Sequence, residues 1–296
     1  MNKVALLVIY NHRYDKNIAR VNKIYKKSFS YIFHLMPFYD GEEKNVIPVY
    51  ESSYYFQSFI SQAYAHLKDQ GFTHYFVIAD DLILNPIINE SNLWEVIGLP
   101  EDHCMLTSLI EFQHCKVKKW PRIKDAIEYN VIQRGLEISS ILPSKQEAVK
   151  QFLWHGVSVE PIERESYKHL FPWVKVGKFP IWKKLAPRSL ALSYPLVGGY
   201  SDICMITADC MQNFCSFCGA FAAGNLFVEV ALPTALILSS KKISFIQNLS
   251  LKRGDMWSDT EKTALSRKYK NSLDNLLADF PSDKLFLHPI KLSVYK

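Results

Sequence analysis

The sequence predicts an α/β fold, a mostly parallel sheet with helices on both faces. Short runs that are apolar along their whole length, as strands buried on two faces are, alternate with segments of helical period. The 296 residues are 48% hydrophobic and 22% charged, with only 11 Gly and 14 Pro. A chain of this size and composition builds a sizeable core and is neither disordered nor low in complexity. One domain over residues 1–296 is expected.

The first strand is Val4–Ile9, ending in Tyr10-Asn11-His12-Arg13, where a buried strand enters a loop. Ile18–Phe29 mixes apolar and basic residues at helical spacing, and Ser30–Leu35 reads as a second strand, completing a β-α-β unit. Tyr54–Lys68 forms a helix stopped near Gly71, and Thr73–Ala79 is a strand that delivers Asp80 and Asp81. Prolines then loosen the pattern between roughly 110 and 190, giving a loop-rich, aromatic inserted region. From Lys116 to Arg188 there are 15 Lys and Arg against 7 Asp and Glu, a net +8 that exceeds the +6 of the whole chain. Gly219–Leu238 is interrupted by Asn225, Glu229 and Pro233, so it fits a buried helix better than a membrane span.

A net charge of +6 is too mild for a dedicated nucleic-acid binder, and no nucleic-acid partner is expected. The opening apolar run is six residues long, a strand rather than a signal peptide. Six cysteines in that context point to free thiols and a cytoplasmic protein. Cys215 and Cys218 have the spacing of half a zinc site, but the second half is missing. With Cys204 and Cys210 they lie among Met205, Met211, Phe214, Phe217 and Phe221, a setting that favours core packing.

Asp80 and Asp81 are the sharpest candidates. Two carboxylates at the carboxyl end of a strand make a hard-oxygen site for Mg²⁺ or Mn²⁺ and attached phosphates; otherwise one caps the next turn and the other is solvated. Gly198-Gly199, with Asp202 close by, forms a turn that a ligand can approach closely, or simply a turn. Glu229 is a lone carboxylate in an apolar segment and needs a reason to be there. His288 and Lys291 follow an apolar, strand-like run and are placed to meet a phosphate or metal, or else are ordinary tail residues. Asn11 and Arg13 either cap the first strand or contact a nucleotide. In the inserted region, Trp120, Trp173 and Trp182 beside Lys118, Lys119, Lys183 and Lys184 suit sugar stacking or a lipid headgroup interface, or form a solvated surface.

In this order the features resemble the GT-A superfamily of glycosyltransferases, and within it the bacterial enzymes that build capsules and O-antigens. The resemblance rests on a first strand ending in Tyr10-Asn11, the acidic pair, Gly198-Gly199, Glu229 and the late His288-Pro289-Ile290-Lys291. It implies a metal-dependent hexosyltransferase that moves a sugar from a nucleotide-sugar, UDP-linked, to a glycan or lipid-linked saccharide, with peripheral contact at the inner face of the cytoplasmic membrane. It also implies Asp81 and His288 as ligands of Mn²⁺ or Mg²⁺, with Asp80 on ribose or metal. Tyr10, Asn11, Arg13, Gly198, Gly199 and Lys291 would line the donor. Glu229 would be the base that deprotonates the acceptor in an inverting enzyme; in a retaining one it would orient the acceptor or stabilise an oxocarbenium ion. The acidic motif reads Ala-Asp-Asp, not Asp-x-Asp, and the base motif Val-Glu-Val lacks its second acid, so Asp202 competes for the role of base. Two alternatives are a sugar nucleotidyltransferase and a non-catalytic nucleotide-sugar-binding scaffold protein. A nucleotidyltransferase should carry a Gly-rich loop directly after the first strand, and Tyr10–Arg13 has no Gly; Glu229 and His288 argue against a scaffold.

Overall fold

The structure, a computed structural model, describes residues 2–114, 120–133, 137–170 and 187–295. Its strands are β1 (Val4–Ile9), β2 (Tyr31–Pro37), β3 (Val46–Val49), β4 (His74–Ala79), β5 (Ile83–Leu84), β6 (Cys104–Leu106), β7 (Ile162–Glu163), β8 (Ser189–Leu190), β9 (Ile203–Thr207), β10 (Ile243–Phe245) and β11 (Phe286–Leu287). Seven of them form one sheet in the order β10-β6-β9-β4-β1-β2-β3. The pairs β1–β2, β1–β4, β2–β3 and β6–β10 are parallel, and β9 runs antiparallel to both its neighbours. The expected mostly parallel sheet is present, with one reversed strand.

Every residue of β1 is buried. Ala5, Leu7 and Ile9 face one apolar layer, built with helices Gln57–Leu67, Ala208–Ala223 and Val228–Ser239. Val4, Leu6, Val8 and Tyr10 face the other, with helix Asp15–Tyr25, helix Leu93–Ile97 and the carboxy-terminal segment. Side chains of successive strand residues point to opposite faces, so a run buried on both sides must be apolar throughout. That is why β1 and β4 were legible as unbroken hydrophobic runs.

Two local elements differ from expectation. The first helix spans Asp15–Tyr25, starting and ending earlier than predicted. The segment expected as one helix over 219–238 belongs to two, Ala208–Ala223 and Val228–Ser239. Gly224 and Asn225, the latter in a left-handed conformation at φ 57°, separate them. Cys104, Cys204, Cys210, Cys215 and Cys218 are free and buried, as core packing requires. Trp173, Trp182, Lys118, Lys119, Lys183 and Lys184 lie outside the described residues. Among the described residues, no helix is long and apolar enough to cross a membrane.

Two features of this topology position a site. The chain leaves β1 towards β2 and β3, then returns to place β4 on the other side of β1. Such a switch point opens a crevice at the carboxyl ends of the two strands, where open α/β sheets bind ligands. The reversal of β9 brings its amino end to the same edge, and Ala79 N donates to Asp202 O at 2.9 Å. The carboxy-terminal segment closes over that edge. There β11 pairs with β5, Ile290 N donates to Asp81 O at 2.6 Å, and Arg20 bonds to the carbonyl of Leu292.

Candidate functional site

At the switch point lies a cavity of about 380 Å³ lined by Asn11, His12, Tyr14, Asn17, Asp80, Asp81 and the segment Lys291–Ser293. Register explains the acidic pair: Ile9 is level with Ala79, so Asp80 and Asp81 emerge beside the loop that follows β1. Asp80 N donates to Ile9 O at 2.9 Å, and Asn17 Nδ2 donates to Asp80 Oδ2 at 3.2 Å. Burial, and then the neighbouring Asp81 charge, push the Asp80 carboxyl up to about 6. Tyr14 and Asn17, at the start of helix Asp15–Tyr25, also line the cavity, so the positive end of that helix borders it.

Asp81, which lines the cavity, faces His288. Asp81 Oδ1 is 3.1 Å from His288 Nε2, yet this oxygen is buried without a hydrogen-bond partner of good geometry. On the far side of the ring, Nδ1 is 2.6 Å from the hydroxyl of Tyr200. Burial lowers the pKa of His288, but the Asp81 contact and the charges of Asp202 and Asp255 outweigh it and leave it raised. The main chain of His288 is fixed as well: its N donates to Gly254 O at 3.1 Å and its O accepts from Met256 N at 2.8 Å.

The donors at this corner, a buried carboxylate oxygen and an imidazole nitrogen 3.1 Å apart, are of the kinds that bind divalent cations. An orphaned carboxylate oxygen supplies the hard donor. Among the described residues no group of three or more His, Cys, Asp and Glu converges on one point. A cation here would take its remaining ligands from substrate phosphate and water, as Mg²⁺ commonly does.

A second cavity, about 640 Å³, opens beyond Tyr200 and is lined by Ser108–Ile110, Trp120, Gly199, Tyr200, Glu229, Arg253 and Trp257. Glu229 sits in the first turn of helix Val228–Ser239, and its Oε2 accepts from Trp120 Nε1 at 3.0 Å. Burial raises the pKa of Glu229; the Trp120 hydrogen bond opposes this, and the Asp202 charge adds to the rise. Arg253 lies over the Tyr200 ring, 4.5 Å from its centroid, and donates to Asp255 Oδ1 at 2.8 Å. Trp257 bonds to the other oxygen of Asp255 through Nε1, while its side chain stays 70% exposed.

The sequence-derived candidates therefore separate into groups. Asn11, Asp80, Asp81 and Lys291 line the first cavity, with His288 beside Asp81. Gly199 and Glu229 line the second. Asp202 lies at the same sheet edge, its pKa raised by burial and by Asp81 and lowered by the charge of His288. Tyr10 and Arg13 line neither cavity. The Tyr10 side chain turns into the core and its hydroxyl meets His34 Nδ1 at 2.8 Å; Arg13 pairs with Asp15 at 2.9 Å and Asp40 at 2.5 Å. The two glycines are needed for close approach, but by protein groups. A Cβ on Gly198 would lie 2.3 Å from the Trp120 ring, and one on Gly199 would lie 2.7 Å from Ser108 O.

Sequence reasoning missed His12, Asn17, Tyr200, Arg253 and Trp257. His12 was discoverable as part of the loop after β1, whereas Arg253 and Trp257 carry no local signal. No protein-family model matches the chain, and no curated protein matches it either.

Proposed function

We propose that this protein is a glycosyltransferase: the first cavity holds the diphosphate of a nucleotide-sugar donor, and the second holds the acceptor. What carries the proposal is the row Asp81–His288–Tyr200, which joins a cavity bordered by carboxylates, a lysine and a helix amino terminus to one lined by indoles and a carboxylate. A transferase needs two adjoining subsites with one reacting centre between them.

In this reading Lys291 and the start of helix Asp15–Tyr25 receive the diphosphate charge. Asp81 and His288 would hold Mn²⁺ or Mg²⁺, which would supply positive charge to the departing nucleotide diphosphate. Glu229 accepts the acceptor's hydroxyl proton as the oxygen bonds to the anomeric carbon and the bond from that carbon to the diphosphate breaks. Its raised pKa suits a base working near neutrality. Trp120 orients the carboxylate, and Trp120 and Trp257 offer faces on which a sugar ring stacks. By its resemblance, the product belongs to a bacterial surface polysaccharide, with a glycan or lipid-linked saccharide as acceptor.

A thermal-shift screen of nucleotide-sugars, each with and without Mn²⁺, tests the reading. One donor at a hundred times its Kd should stabilise the chain by about 2.7 kcal/mol, and only with the cation. If no nucleotide-sugar raises Tm under either condition, the proposal fails.

A further inference from the structure

Tyr200 lines the second cavity and is linked through His288 to Asp81, which lines the first. Its ring lies flat on Phe286, with centroids 5.7 Å apart and planes 9° from parallel. Its hydroxyl is 2.6 Å from His288 Nδ1, while Nε2 of the same ring stands 3.1 Å from the orphaned Asp81 Oδ1. Backbone hydrogen bonds to Gly254 and Met256 already fix the main chain of His288, so the freedom left to this residue is rotation of its ring.

An imidazole nitrogen binds a cation through its lone pair. If Nε2 is the ligand, the ring hydrogen must sit on Nδ1. A buried N–H without an acceptor costs about 1–3 kcal/mol. The Tyr200 oxygen is within reach of Nδ1, and a hydroxyl accepts as readily as it donates.

We propose that Tyr200 is a positioning residue of the cation site: its oxygen accepts the Nδ1–H of His288 and keeps the Nε2 lone pair turned towards the cation held by Asp81. This rests on the cation site of the proposed function. The 2.6 Å contact sets both the tautomer and the ring angle, the two properties that partners of a ligating histidine control. Because Tyr200 also forms a wall of the second cavity, the group that orients the cation ligand is one the acceptor touches.

Tyr200→Phe removes the oxygen and keeps the ring on Phe286. Electron paramagnetic resonance titration of the full chain with Mn²⁺, alone and with UDP, should show Kd raised roughly ten- to a hundredfold in the variant. Without cation its Tm should stay close to that of the parent, because the ring hydrogen can then sit on Nε2, 3.1 Å from Asp81 Oδ1. Long-range ¹⁵N–¹H spectra of the unsubstituted chain with Mg²⁺ and UDP should show the His288 hydrogen on Nδ1, a readout that needs no variant. Parental Mn²⁺ affinity in Tyr200→Phe, or the hydrogen on Nε2 in the Mg²⁺ complex, would overturn the proposal. An unsubstituted chain that binds no Mn²⁺ under either condition removes the cation site and this proposal together. One that binds Mn²⁺ but no nucleotide-sugar removes the transferase reading alone, and the Tyr200 comparison still stands.

Discussion

Trp120 donates a 3.0 Å hydrogen bond from its indole to Glu229, joining the loop-rich region to the first turn of helix Val228–Ser239. The same indole packs on Gly198 and stacks on Phe112, with centroids 5.9 Å apart. The carboxylate is thus held by a side chain that is itself wedged in place. Trp120→Phe removes the one hydrogen bond that pulls the Glu229 pKa down, so the acidic limb of the pH–rate profile should move to higher pH. Glu229→Gln keeps an oxygen for Trp120 and should lower kcat by about 10²–10⁴ with donor binding intact. Near-normal turnover in Glu229→Gln together with an inactive Asp202→Asn would transfer the role of base to Asp202.

Asp80 should make the cation-free protein less stable as pH rises. Its folded pKa of about 6 lies above its ordinary value of 3.8, so the folded state holds the proton more tightly. That contribution is complete below the unfolded value and is lost as pH climbs through the folded one. The loss between about pH 4 and 6 is on the order of 2–3 kcal/mol. Asp80→Asn should flatten the curve and raise Tm at pH 7. Denaturant melts from pH 4 to 8 check this, and parallel curves for the two proteins would contradict it.

Asp81→Ala should abolish cation-dependent donor binding and leave the fold in place. The substitution gives up the 3.1 Å ion pair with His288, but the main-chain bond from Ile290 to Asp81 remains. Isothermal titration of UDP in Mn²⁺ provides the measurement, and an unchanged Kd would exclude Asp81 as the cation ligand.

Gly254→Ala should damage both stability and the cation site. A Cβ at this position would lie 1.9 Å from the carbonyl oxygen of Phe286, so one of the two backbones must move. Overpacking of this kind costs about 1–3 kcal/mol, and here it pushes on the segment that carries His288. Urea unfolding should show the loss of stability, and Mn²⁺ titration should show weaker binding. Parental values in both would mean that the segment adapts without strain.

The sequence by itself determined the α/β class and the strands Val4–Ile9 and His74–Ala79, because a strand buried on two faces must be continuously apolar. It also located Asp80 and Asp81, since polar residues after such a run mark the strand's carboxyl end. Tyr10, expected at the donor, turns inward instead, because it continues the alternation of Val4, Leu6 and Val8 on one face. Only the tertiary structure decided the rest. Reversal of β9 brought Asp202 beside Ala79, and the carboxy-terminal segment set His288 against Asp81 and Tyr200. Arg13 was drawn to Asp15 and Asp40, and Gly198 and Gly199 were filled by Trp120 and Ser108. Local periodicity reports only which face of its own element a residue occupies. Tyr200 and His288 meet across 88 positions of chain, and contacts at that range are fixed by strand order and direction, which short-range patterns do not encode.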